Sequence, residues 1–168
     1  MRYQVDWYSP DLVRIGTLQA FNTLSIVRTE NEIGALVMTL PSHGFDTNSF
    51  KVGQYLEVWR ETHGVSRLFG ETAYFVQDWE FYSEGGQHLV AVYAKDLNFL
   101  LGTRIVYAFA GSEEAEITDK ADDMMKTIVT DQMDTGAATE RKITNFSVQP
   151  KVGKSISITR GFAYGIVL

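Results

Sequence analysis

Gly153-Lys154-Ser155 is the tail of a phosphate-binding loop and the sharpest chemical pattern in the chain. That loop wants a glycine five residues before Gly153, where Val148 stands, and a helix afterwards whose amide dipoles hold the phosphate. Ile156-Ser157-Ile158-Thr159 alternates like a strand instead, so the tripeptide is expected to be a loop before a strand. Glu113, Glu114, Glu116, Asp119, Asp122 and Asp123 could chelate a divalent cation, but they lack the alternate spacing and central glycine of a calcium loop. Acids complementing the dipole of a helix start account for them better. His43, His63 and His88 share no metal-ligand spacing. Asp78 and Glu80 fall on one face of a strand, the arrangement from which a glycosidase carboxylate pair is built, and also one that solvated strand faces carry routinely. No serine sits in a Gly-x-Ser-x-Gly elbow, and Asn145-Phe146-Ser147 is a three-residue glycosylation pattern with no signal peptide beside it. No catalytic, cofactor-binding or metal-ligating residue is assigned.

The elements that would position such groups are mostly strands. Tyr55, Glu57 and Trp59 alternate with Leu56, Val58 and Arg60, and Tyr74 to Tyr82 alternates in the same way. Leu89 to Ala94 is apolar on both faces, which predicts a strand covered on both sides. Turns at Glu61–Gly64 and Ser83–Gly86 join these runs, so Gly53–Ala94 reads as an antiparallel meander of four strands, with Val65–Glu71 and Tyr74–Tyr82 as separate strands. Before it, Tyr3–Tyr8, Leu12–Leu18, Asn22–Arg28 and Ala35–Leu40 are also strand-like, with Asn31 and Gly34 supplying turn chemistry.

After Ser112 the texture changes. Ala121, Met124, Met125, Ile128, Val129 and Met133 share one helical face, Thr118 is placed as the N-cap, and Lys142–Val148 and Ser155–Arg160 are expected to be strands. The fold class is therefore mainly β: a small antiparallel barrel or sandwich over residues 1–109, followed by a helix and strands over 110–168 that begin a second domain cut short. Gly165-Ile166-Val167-Leu168 is an apolar run with no stop signal. Exposed with Phe162 and Tyr164, it predicts that the chain alone aggregates or oligomerises, and that charges at Ile166 and Leu168 relieve this.

Composition narrows the function classes. A net charge of −6 with scattered Lys and Arg argues against a nucleic-acid groove, and the absence of cysteine excludes disulfides, thiolate metal sites and a cysteine nucleophile. No apolar run approaches the roughly 20 residues of a membrane helix. The aromatic set Tyr55, Trp59, Tyr74, Phe75, Trp79, Phe81 and Tyr82 divides between core and surface, and an outward set would mark an interaction patch or a carbohydrate platform.

One order of features resembles a known family. Asn31-Glu32-Ile33-Gly34, Leu40-Pro41, Val52-Gly53, Leu56-Glu57-Val58-Trp59-Arg60 and Leu68-Phe69-Gly70 come first. Leu89-Val90-Ala91-Val92, Asp96-Leu97, Leu100-Leu101, Arg104, the 121–133 helix and Arg141 follow. Together they resemble the N-terminal part of the tail-hub (baseplate-hub) proteins of long-tailed bacteriophages, the siphophage tail-protein family. The resemblance implies a barrel-like structural protein of the virion, not an enzyme and without a cofactor. It implies assembly in the host cytoplasm as a homotrimer, a ring of copies of itself below the tail tube. Its implied partners are distal-tail and tail-tube proteins on one side and tail-tip or fibre proteins on the other. From a different class, a β-sandwich carbohydrate-binding module using surface aromatics, Trp59 and Trp79 foremost, is the alternative.

Overall fold

The computed structural model describes residues 2–168 except Glu30, Asn31, Thr47, residues 104–114, 144–145, 154–155 and 163–168. Expectations placed on Asn31, Arg104, Glu113, Glu114, Asn145, Lys154, Ser155 and the last six residues therefore fall outside the described residues. The protein is mainly antiparallel β, as expected, and divides into two compact units, Met1–Phe99 and Leu100–Leu168.

The first unit is a seven-stranded sheet. In chain order its strands are β1 (Arg2–Tyr8), β2 (Arg14–Leu18), β3 (Thr23–Val27), β4 (Ala35–Pro41), β5 (Tyr55–Thr62), β6 (Val65–Glu84) and β7 (Gln87–Asp96). In space the order is β2-β1-β5-β6-β7-β4-β3, every neighbour pair antiparallel. The end strands β2 and β3 do not pair with each other, so the sheet rolls without closing. Period-two alternation drives the roll: Val5, Trp7, Leu36, Met38, Leu40, Leu56, Val58, Val76, Val90 and Val92 all point to one face and are buried. They form one cluster, against which Tyr3 of β1, Leu24 and Ile26 of β3 and Phe69 of β6 also pack. A stacked aromatic series, Trp7 on Phe50 and Phe50 on Phe45, fills this core.

Three local expectations are corrected here. The strand expected from Leu12 begins at Arg14, because Leu12 sits at φ 61° in the turn that Ser9 closes with Val13. Val65–Glu71 and Tyr74–Tyr82 are not two strands but one of 20 residues. Its first part pairs with β5 and its second with both β5 and β7, and Phe69–Thr72 form an irregularity opposite Val58. Gly70, at φ 77°, takes the bend that a β-carbon would disfavour. Gly34 is a glycine for proximity rather than turn conformation: a β-carbon there would lie 2.7 Å from Asp96 Oδ2 and 2.9 Å from the Val27 carbonyl.

A helical turn, α1 (Asn98–Gly102), spans the chain boundary at which the second unit begins. That unit contains a two-stranded ribbon of β8 (Ala115–Lys120) and β9 (Ser157–Phe162), with α2 (Ala121–Met133) between them in the chain. Met124, Ile128 and Met133 form its core with Leu101, Ile117, Val129, Ile143 and Phe146. Of the expected apolar face, Ala121 and Met125 are instead exposed. Thr118 is not the N-cap: it lies in β8 with its hydroxyl 2.7 Å from that of Thr159, and α2 starts after Lys120 without a side-chain cap. No strand covers the described part of 142–148.

Candidate functional site

The sequence-selected polar groups are dispersed, and Asp78, Glu80, His88, Asp119 and Asp123 each have a local partner. Asp119 accepts hydrogen bonds from its neighbour Lys120 N–H, from Thr127 Oγ1 and from Lys151 Nζ. Buried Asp123 accepts the Val152 N–H at 2.9 Å. Lys120 and Lys126 donate to the carbonyls of Gly153 and Pro150. The acids expected to serve the helix dipole thus also strap residues 150–153 onto the start of α2. The Lys151 ammonium is the main reason the Asp119 carboxyl is held down to about 2, with Thr127 second. Gly153 precedes strand β9 rather than a helix, as the sequence predicts.

Asp78 caps the N–H of Trp79, and Glu80 accepts from the Tyr93 hydroxyl; both carboxylates are exposed. His63 occupies the β5–β6 turn at φ 51°. His43 and His88 come together in the wall of one cleft with Pro41 and Leu89, and His88 Nδ1 lies 2.8 Å from Ser83 Oγ. Among the described residues, no group of three or more His, Asp or Glu is arranged to hold a metal ion. Tyr74 is fully buried, and Trp79 packs against the main core. Trp59 is half-buried, so neither indole is a fully exposed platform.

Two further arrangements carry no sequence motif. The first is a polar cluster on the outer face of β1, β2 and β5. Asp6 is 7% exposed and accepts from Arg14 Nη2 at 2.7 Å and Thr17 Oγ1 at 2.8 Å, while Tyr8 donates to Glu57 at 2.9 Å. Asp6 and Glu57 are directly opposite in register. Burial, and then the Glu57 hydrogen bond, push the Tyr8 phenol up, so it stays a neutral donor. Each carboxylate is satisfied within the cluster, whose effect is to fasten the end strand β2 to β1. Beside it Leu12, Val13 and Ile15 are 47%, 65% and 47% exposed.

The second is the seam of the rolled sheet. Where β3 comes round toward β1 and β6, a cleft of about 390 Å³ opens between Tyr3, Phe21, Asn22, Leu24, Ile26 and Phe69. Tyr3 and Phe69 meet edge-on at 6.1 Å, and the Arg60 guanidinium lies 5.4 Å from the Phe69 ring centre. Only register places these residues side by side: Tyr3 opposes Arg60, Arg60 opposes Arg67, and the β6 bend carries Phe69 beyond them. The available sequence signal was the Leu68-Phe69-Gly70 break in alternation.

No family model matches this chain, and no curated protein is significantly similar to it.

Proposed function

We propose that this chain is a structural protein of a virion, the hub at the distal end of a bacteriophage tail, joining tail tube to tail tip by self-assembly. The supporting observation is a rolled β-sheet that ends in two strands, β2 and β3, each paired on one edge only among the described residues, with exposed Leu12 and Val13 just before β2 and exposed Ile15 within it. Free strand edges present rows of backbone donors and acceptors, and exposed apolar side chains beside them favour contact with another chain. A ring of copies, a trimer in this reading, uses such an edge head to tail, because a heterologous contact closes into a ring when its rotation permits. The remaining surfaces then meet distal-tail and tail-tube proteins above and tip or fibre proteins below. Mass photometry, cross-linking and negative-stain imaging test this directly. Discrete rings that bind distal-tail or tube proteins are expected; a monomer that never associates with either would overturn it.

A further inference from the structure

We infer that the seam beside β3 receives an extended acidic segment of a partner protein, which adds to the sheet as a further strand. Four observations converge there. First, β3 is five residues long and, among the described residues, pairs only with β4, so its other edge offers backbone groups to a new strand. It carries no proline or charged residue that would blunt that edge. Second, Leu24 and Ile26 point from β3 toward the apolar cleft, so side chains on one face of an added strand would fill it.

Third, three guanidiniums gather at this seam in a chain of net charge −6. Arg60 covers the ring of Phe69, Arg67 stands opposite Arg60, and the Arg28 guanidinium lies about 3.1 Å from where a β-carbon on Gly70 would be. Fourth, among the carboxylates whose side chains are described, none forms an ion pair with any of the three. Like charges directly opposite on paired strands are destabilising, so Arg60 against Arg67 is a local cost that a bound anion would remove. Carboxylates suit guanidiniums through charge-assisted, bidentate hydrogen bonds. Arg28 follows the C-terminal end of β3, so an antiparallel added strand brings its N-terminal end to the arginines. The occupant is therefore an extended segment with acidic residues first and apolar residues at alternate positions after them.

This inference rests on the assembly reading, and its test separates the two. The probe is a fluorescein-labelled heptapeptide, Glu-Glu-Val-Ser-Val-Ser-Val, titrated with the full chain by fluorescence anisotropy. Its comparators are the Lys-Lys version and a copy N-methylated on alternate amides. Saturable binding is expected, weaker by roughly tenfold or more for the lysine peptide and for Arg28→Gln/Arg67→Gln, as when a charge-assisted hydrogen bond is lost. The N-methylated peptide should not bind. Equal binding of the acidic and basic peptides, or full affinity in a folded double variant, overturns the assignment. So does oligomerisation of the chain that the double variant abolishes, because the occupant would then be a second copy. If the double variant does not fold, the wild-type chain still decides: affinity unchanged between about 0.05 and 0.5 M salt overturns it. Rings that form without any peptide binding overturn only the acidic strand and leave the assembly reading standing.

Discussion

Gly34 and Asp96 are 62 residues apart in sequence, and their contact sets a constraint that no local pattern carries. Asp96 Oδ2 accepts the Gly34 N–H at 2.8 Å, and the Asp96 N–H donates back to the Gly34 carbonyl. An alanine at 34 would drive its methyl group into both that carboxylate and the Val27 carbonyl. Gly34→Ala is expected to cost about 1–3 kcal/mol, the range for overpacking a closed site, measured by urea denaturation; an unchanged midpoint would refute it. At Asp119 the sequence pointed to a helix dipole, whereas the partner on Lys151 lies 32 residues away and could not be read from spacing. The Asp119 carboxyl titrates at about 2 in the fold, below its ordinary value, so the stability it contributes is present above about pH 4 and lost as pH falls toward 2. Carbon-13 NMR of its carboxyl should give that low midpoint, and Lys151→Met should return it toward the ordinary value. A wild-type midpoint near the ordinary value would exclude the strap.

At the scale of elements, what was legible followed from side-chain period. The β5–β6–β7 meander and the β3–β4 hairpin are written in alternation and turn residues, whereas β7 is not covered throughout on both faces as expected: Leu89–Val92 and Ala94 are buried but Tyr93 is 36% exposed. Two other features were not legible. β8 looked like the lead-in to a helix because Glu116, Thr118 and Asp119 suit a helix start, and the partner that makes it a strand, β9, arrives some 40 residues later. β6 looked like two strands because Gly70 interrupts the alternation, yet it pairs with β5 both before the bend and from Ala73 after it, with β7 joining from Tyr74. Gly70→Ala tests that bend. At φ 77°, with the Arg28 guanidinium against the added methyl, it should lose about 1–2 kcal/mol. Gly16→Ala is the control, since nothing lies within 4 Å of a β-carbon there, and it should stay within about 0.5 kcal/mol of wild type. Equal thermal unfolding of the two variants would remove the special status of the bend.

For the whole molecule, the seam was the least legible feature, because it depends on how seven strands roll in space rather than on any one of them. The roll gives the two end strands different surroundings. β3 borders an apolar cleft with arginines, while β2 is pinned to β1 by Arg14, Thr17 and Asp6, carries exposed Ile15 and follows exposed Leu12 and Val13. An edge held firmly in place and flanked by exposed apolar side chains is suited to contact between copies, since little ordering entropy is lost when a neighbour docks. The full chain should therefore self-associate with rising concentration, and Val13→Lys/Ile15→Lys should shift it toward monomer. Both positions are already solvent-exposed, so the substitutions should leave unfolding within about 0.5 kcal/mol of wild type. Size-exclusion chromatography with light scattering, run across a concentration series, reads the outcome. If the lysine variant keeps the wild-type oligomer, copies do not meet through β2; if the wild type is a monomer throughout, the prediction of self-association fails altogether.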